Sequence, residues 1–193
     1  MTATVPNLLT LARVMAAPLV ALLYLSLDRI TAGWAAFIIF SAASATDYLD
    51  GYLARKWDQV SGFGRMMDPV ADKAMVVIAG ALLMALYELS WVVVAPMAAI
   101  LLREVLVSGL REYLKGANIL SVTRLAKYKT TCQLFAIGAL ILAEPLGASY
   151  PGLGVVAEWI GLASLWLAAA LTIITGWDYL TKGMAVIREE DGT

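Results

Sequence analysis

Four aspartates stand at helical spacing between positions 47 and 72 of this 193-residue chain. Asp47 and Asp50 are three residues apart, and Asp68 and Asp72 are four apart. Residues three or four apart share one face of an α-helix, so each pair would form a stripe of carboxylates. Two neighbouring helices with facing stripes would bring all four carboxylates together.

Four carboxylates in one place repel one another, and one would normally take up a proton unless a cation offsets their charge. The chain has no histidine and a single cysteine, Cys132. Oxygen ligands without histidine or thiolate favour Mg²⁺, Mn²⁺ or Ca²⁺ over zinc. Two such ions about 3.5–4 Å apart form a clamp that suits phosphoryl transfer.

An alternative interpretation treats the aspartates as solvated residues at a membrane surface, paired with nearby cations. That explains one aspartate well, but it explains four on two stripes poorly. Gly51, Ala54 and Gly64 lie on the same stripes. Small residues let membrane helices pack closely, and beside a metal cluster they would leave room for a bulky ligand.

The segments that must position these groups are strongly apolar. Hydrophobic residues make up 61% of the chain and charged residues 15%, against roughly 25% charged in soluble domains. Recurrent apolar runs of about 18 residues or more indicate membrane-spanning helices. We therefore predict an all-α integral membrane protein, a single bundle of six transmembrane helices forming one domain over residues 1–193, with spans near 8–27, 32–56, 65–87, 90–115, 124–144 and 155–182.

Two local features of these spans are predicted less directly. Pro69 is either an early helical residue after an Asp68 cap or a kink within the third span. Residues 144–154, EPLGASYPGLG, read as a turn-rich loop between the fifth and sixth spans.

The distribution of lysine and arginine predicts the orientation. The connections near 28–31, 88–90 and 145–154 hold only Arg29. The opposite ends of the spans hold almost all other basic residues, among them Arg55, Lys56, Arg65, Lys73, Arg111, Lys115, Arg124, Lys127, Lys129, Lys182 and Arg188. We expect both termini and the aspartates on the cytoplasmic side, in a bacterial inner membrane.

The aspartates belong to a longer pattern, Asp47-x2-Asp50-Gly51-x2-Ala54-Arg55-x8-Gly64-x3-Asp68-x3-Asp72. This pattern resembles the signature of the CDP-alcohol phosphotransferases, a family of six-helix membrane enzymes. The resemblance implies a two-metal centre of Mg²⁺ or Mn²⁺ whose ligands are Asp47, Asp50, Asp68 and Asp72. It also implies that Asp72 is the general base. The nucleotide of the donor would contact Gly51, Ala54, Arg55 and Gly64, with Asn7 and Thr10 of the similar opening segment PNLLTLAR as further candidates.

The second half of the chain bears on the acceptor. Arg103 and Glu104 lie well inside the fourth span, where solvation explains charged side chains poorly. Residues 101–133 and the segment MDPVADK resemble bacterial members of the family that transfer a phosphatidyl group from CDP-diacylglycerol to sn-glycerol 3-phosphate. The implied phosphate-binding residues are Arg111, Lys127 and Lys129, with Arg103 and Arg124 in support.

The expected partners are CDP-diacylglycerol, sn-glycerol 3-phosphate and membrane lipids, with no nucleic acid, and the resemblance suggests a homodimer. Other acceptors remain open: inositol phosphate, serine or phosphatidylglycerol. A divalent-cation transporter is the main alternative outside the enzymes, because membrane aspartates also mark ion paths. A transporter site would be expected near the middle of the membrane, whereas these aspartates lie at one face beside basic residues.

Overall fold

In the computed structural model, residues 4–57, 61–114 and 124–191 are described. Within these ranges, the side chains of residues 47–55, 65, 124, 126, 127 and 189–191 lie outside the description. The described chain folds into six helices: α1 Val5–Ser26, α2 Arg29–Lys56, α3 Gly62–Leu86, α4 Trp91–Tyr113, α5 Arg124–Ser149 and α6 Pro151–Asp191. The six predicted segments thus correspond one to one with helices.

The start of α3 differs from the sequence prediction. The helix begins at Gly62, where the Ser61 side chain accepts a hydrogen bond from the Gly64 backbone N–H and so caps the first turn. Pro69 therefore lies inside the helix, and the interpretation of Asp68 as its cap is wrong.

The predicted loop over residues 144–154 is also wrong. α5 continues through Pro145 to Ser149, and α6 begins at Pro151, so Tyr150 alone separates the two helices. Gly147 and Gly154 meet where the helices cross: a methyl group added at Gly154 would lie 2.7 Å from the Gly147 backbone nitrogen. The glycines that suggested a loop allow two helices to pack closely instead.

Five of the described helices are long and apolar enough to cross a membrane: α1, α3, α4, residues Tyr128–Ser149 of α5 and residues Pro151–Arg188 of α6. α2 has 28 residues, enough in length, but its last turns carry the aspartate motif. Large apolar side chains such as Leu102, Trp159 and Ile173 are exposed on the surface. An apolar exterior of this kind suits a lipid environment.

The bundle core sits between all six described helices, with Phe40, Leu83, Met97, Ile137 and Leu165 almost fully buried. Among the described residues, α3 packs against α1, α4 and α5, while α6 packs against α4 and α5. This arrangement brings polar residues from five helices, α1 to α5, around one cavity.

Candidate active site

A buried polar stripe runs along α1 and faces α3. Asn7, Thr10 and Arg13 are three residues apart, and each is at least nine-tenths buried. Because residues three apart share a helix face, these side chains point together at the neighbouring helix. The stripe faces Gly64, Asp68 and Asp72, which follow one another at a spacing of four along α3.

Both described aspartates of the motif are held by this stripe. The Thr10 hydroxyl donates a hydrogen bond of 2.9 Å to Asp68 Oδ1. Arg13 Nη1 donates to Asp72 Oδ1 at 2.8 Å. The Arg13 side chain is 2% exposed and that of Asp72 is 55% exposed, so a buried cation orients a carboxylate that reaches open space.

The start of the stripe fixes the first turn of α3. The Ser61 hydroxyl donates to Asn7 Oδ1 at 2.6 Å while capping α3. A Cβ atom at Gly64 would lie 3.2 Å from the same Asn7 oxygen. A glycine at this position thus lets the polar end of α1 approach α3.

A cavity of about 570 Å³ opens next to the aspartates. Its described lining comes from α1 to α5 and includes Arg13, Ser44, Asp68, Asp72, Lys73, Arg103, Glu104, Ser108, Arg111, Lys129, Thr130 and Gln133. The cavity therefore brings two motif aspartates together with three of the predicted phosphate-binding cations. Neither Asn7 nor Thr10 is among its described lining residues, because both are buried in the contact between α1 and α3.

One wall of the cavity holds an ion cluster within the membrane-spanning region. Lys129 Nζ and Arg103 Nη1 both donate to Glu104 Oε1, the latter at 3.1 Å. The Lys129 side chain is 4% exposed and that of Glu104 is 20% exposed. A buried lysine is costly without a partner, and the Glu104 carboxylate supplies that partner while leaving a net positive wall.

Tyr179 of α6 supports two arginines of that wall. The Arg103 and Arg111 guanidinium carbons lie 5.4 and 5.3 Å from the centre of its ring, within the range of cation–π attraction. Arg111 Nη2 also donates to the Tyr179 hydroxyl at 3.2 Å. The tyrosine is 2% exposed, so it forms a fixed platform behind the cations.

The remaining predicted site residues fall outside the described side chains. Asp47, Asp50, Gly51, Ala54 and Arg55 lie in the last turns of α2, but nothing is described of their side chains. The same holds for Arg124 and Lys127 at the start of α5. Their predicted roles stay predictions.

The carboxylates of Asp68 and Asp72 suit a hard divalent cation, but these two described side chains do not form a complete metal site. Among the described side chains, no three acidic, histidine or cysteine residues cluster as metal ligands. Asp68 and Asp72 nevertheless share one cavity. Each ionised carboxylate has about four acceptor positions, so the bonds from Thr10 and Arg13 are compatible with a metal ligand role.

Several side chains that position the site are absent from the predicted set. Arg13 is one of them, although its spacing from Asn7 and Thr10 marks a polar stripe within an apolar helix. Tyr179 carries no local signal, because it lies 68 residues from Arg111 in sequence. Gln133, one turn beyond Lys129, also lines the cavity.

Comparison with known proteins agrees with this geometry. Residues 3–174 match the family model described as CDP-alcohol phosphatidyltransferase. A Cereibacter sphaeroides protein named CDP-diacylglycerol–glycerol-3-phosphate 3-phosphatidyltransferase is 42% identical, over 97% of this chain and 98% of its own. A protein of the same name from Rickettsia typhi is 44% identical over 90% of this chain and 93% of its own length. Another of that name from Shigella flexneri is 36% identical over 96% of this chain and 98% of its own length.

Proposed function

The chain belongs to the CDP-alcohol phosphatidyltransferase family, and from that premise we propose that it transfers a phosphatidyl group from CDP-diacylglycerol to sn-glycerol 3-phosphate. The products are phosphatidylglycerol phosphate and CMP. The acceptor's primary hydroxyl oxygen forms a bond to the phosphorus that carries the diacylglycerol. The bond from that phosphorus to the bridging oxygen breaks, CMP leaves, and the hydroxyl proton is transferred to a base.

One observation carries this proposal: a single cavity is lined both by Asp68 and Asp72 and by Arg103, Arg111 and Lys129. A phosphoryl transfer to a phosphorylated acceptor needs carboxylates near the reacting phosphorus and cations for the acceptor's own phosphate. The names of the relatives from three bacterial genera agree with that pairing.

Asp72 is the proposed base, because it is the described motif carboxylate that reaches furthest into open space. Arg13 holds one of its oxygens, which fixes the direction of the carboxylate. Asp47, Asp50, Asp68 and Asp72 would hold two divalent cations, Mg²⁺ or Mn²⁺. When bound, these ions would neutralise the pyrophosphate and the charge that develops on the leaving CMP.

The acceptor phosphate binds at the positive wall of the cavity. Arg111 and Lys129 are its main contacts, with Lys127 completing the group and Arg103 and Arg124 in support. Glu104 keeps the Lys129 and Arg103 side chains in place through the bonds described above. Because arginine presents several donors in a fixed plane, Arg111 is suited to bond two of the three terminal oxygens of this phosphate at once.

The donor nucleotide contacts the end of α2 and the start of α3, at Gly51, Ala54, Arg55 and Gly64. Asn7 and Thr10 support that region through their bonds to Ser61 and Asp68. The acyl chains extend between helices into the bilayer. The single transmembrane domain lies in the bacterial inner membrane as a homodimer. The distribution of the basic residues favours an orientation with both termini and the cavity on the cytoplasmic side.

The direct test follows CMP release and incorporation of radiolabelled sn-glycerol 3-phosphate in detergent–lipid micelles. We expect activity that EDTA abolishes and that Mg²⁺ or Mn²⁺ restores. The Asp72→Asn substitution should lower kcat by roughly 10²–10⁴-fold, the range for loss of a general base. Asp178→Asn, which removes an exposed carboxylate bonded to Lys182, is the matched control and should retain activity.

Parallel reactions with inositol phosphate, serine and phosphatidylglycerol test the acceptor. Activity with one of these and none with sn-glycerol 3-phosphate would replace the proposed acceptor but keep the family chemistry. Full activity of the Asp72→Asn protein would remove the proposed base.

A further inference from the structure

Gln133 is a buried polar residue on the cavity wall that the reaction as proposed does not use. Its residue surface is 2% exposed, and it is among the described residues that line the cavity. Its side-chain oxygen is buried and has no hydrogen-bond partner in the structure. A buried amide oxygen without a partner lowers stability, and in a functional cavity such an oxygen is suited to accept a hydrogen bond from a ligand.

The position of Gln133 relates it to the acceptor rather than to the apolar core. It lies four residues after Lys129 on α5, so the two side chains share a helix face one turn apart. Gln133, Lys129 and Asp72 all line the same cavity, so a ligand bound by Lys129 in that cavity lies within the space that Gln133 and Asp72 also border.

The chemistry of the amide restricts what it can recognise. Its oxygen accepts and its NH₂ group donates, and these two ends exchange by a simple flip of the side chain. A hydroxyl group can bond to either end, whereas an oxygen of a phosphate group only accepts. The acceptor sn-glycerol 3-phosphate has two hydroxyls: the primary one that attacks and a secondary one at C2 that takes no part in the bond changes.

We propose that Gln133 is a specificity residue that forms a hydrogen bond with the secondary hydroxyl of the acceptor. The inference rests on the proposed function and deepens it by assigning the part of the acceptor between its phosphate and its reacting oxygen. With the phosphate at Lys129 and the C2 hydroxyl at Gln133, the primary hydroxyl is directed towards Asp72.

The test compares two acceptors that differ only at C2: sn-glycerol 3-phosphate and 3-hydroxypropyl phosphate, which lacks the secondary hydroxyl. For the wild-type protein we expect kcat/KM to favour sn-glycerol 3-phosphate by roughly tenfold or more, since a site built for a hydroxyl discriminates against its absence. This measurement needs no variant, so it does not depend on how a substitution folds. Equal use of both acceptors would overturn the inference.

The Gln133→Met substitution keeps the length of the side chain and removes the amide. We expect kcat/KM for sn-glycerol 3-phosphate to fall by roughly 10- to 100-fold and that for 3-hydroxypropyl phosphate to change by less than about threefold. An equal loss with both acceptors would show a merely structural role and overturn the inference.

Thr172→Val is the matched control. The Thr172 hydroxyl is also buried without a hydrogen-bond partner, but the residue is not among those that line the cavity. The selectivity of this variant should equal that of the wild type. A wild-type protein that released CMP with neither acceptor would overturn the proposed function and this inference with it. Equal use of both acceptors overturns the inference alone.

Discussion

Replacement of Tyr179 tests whether the platform on α6 orders the cations that receive the acceptor phosphate. Tyr179→Phe removes the hydroxyl that accepts from Arg111 at 3.2 Å and keeps the ring beneath both guanidinium groups. Hydrogen bonds to charged groups contribute about 1.5–3 kcal/mol, and the length of 3.2 Å puts this one at the weak end, about 1.5 kcal/mol. If that energy orders Arg111 for the phosphate, the KM for sn-glycerol 3-phosphate should rise about 12-fold.

Tyr179→Leu removes the ring as well. Each cation–π contact contributes about 0.5–1 kcal/mol, so the two contacts and the hydrogen bond together contribute about 2.5–3.5 kcal/mol. The expected rise in the acceptor KM is about 60- to 300-fold, with the KM for CDP-diacylglycerol little changed. Because Tyr179 is buried, this variant should also unfold at a lower temperature, and the assay must run well below its thermal midpoint.

The assay is the initial rate of CMP release against acceptor concentration at saturating CDP-diacylglycerol. Trp177→Leu is the control: Trp177 lies two residues away on α6 and is 70% exposed, so its loss should leave the acceptor KM unchanged. An acceptor KM for Tyr179→Leu within about threefold of the wild-type value would refute a role for the tyrosine. The arginines would then be ordered by other contacts.

Three further predictions follow from individual contacts. Lys129→Met should raise the acceptor KM by roughly 10- to 100-fold, because a charged hydrogen-bond donor is lost. The control Lys182→Met, at an exposed lysine, should leave the acceptor KM unchanged. Equal KM values for the Lys129→Met and wild-type proteins would remove Lys129 from the acceptor site. Thr10→Val, which deletes the hydroxyl bonded to the Asp68 carboxylate, should raise the Mg²⁺ concentration for half-maximal activity by about tenfold, and an unchanged requirement would contradict a role for that bond. Gly154→Ala should lower the free energy of unfolding by about 1–3 kcal/mol, because its methyl group meets the backbone of α5. Gly152 has open space around it, so the control Gly152→Ala should leave the thermal midpoint unchanged. Equal midpoints for the two variants would contradict the close helix contact.

The apolar runs predicted six helices because membrane-spanning segments need long uninterrupted hydrophobic stretches. The junction between α5 and α6 was mispredicted because proline and glycine mark turns in water-soluble proteins but are common inside membrane helices. Pro145 is tolerated within α5, so a proline that would end a helix in many soluble proteins does not end this one.

In the site, too, contacts within one helix are predictable from the sequence and contacts between helices are not. The spacing of Asp68 and Asp72 predicts a shared face, and both line one cavity. Their partners Thr10 and Arg13 could not be predicted, since spacing within α1 does not reveal which helix that face meets. The same limit applies to Tyr179, whose contact with Arg111 exists only because α4 packs on α6.

α6 is one continuous helix of 41 residues, about 60 Å at 1.5 Å per residue. The hydrocarbon layer is only about 30 Å thick, so a long stretch of this helix stands outside that layer even when the helix is tilted. The exposed ion pair between Asp178 and Lys182 lies next to Tyr179 in the sequence. The helix runs unbroken from Tyr179 to Asp191, so a displacement of this segment would also displace the ring beneath Arg103 and Arg111.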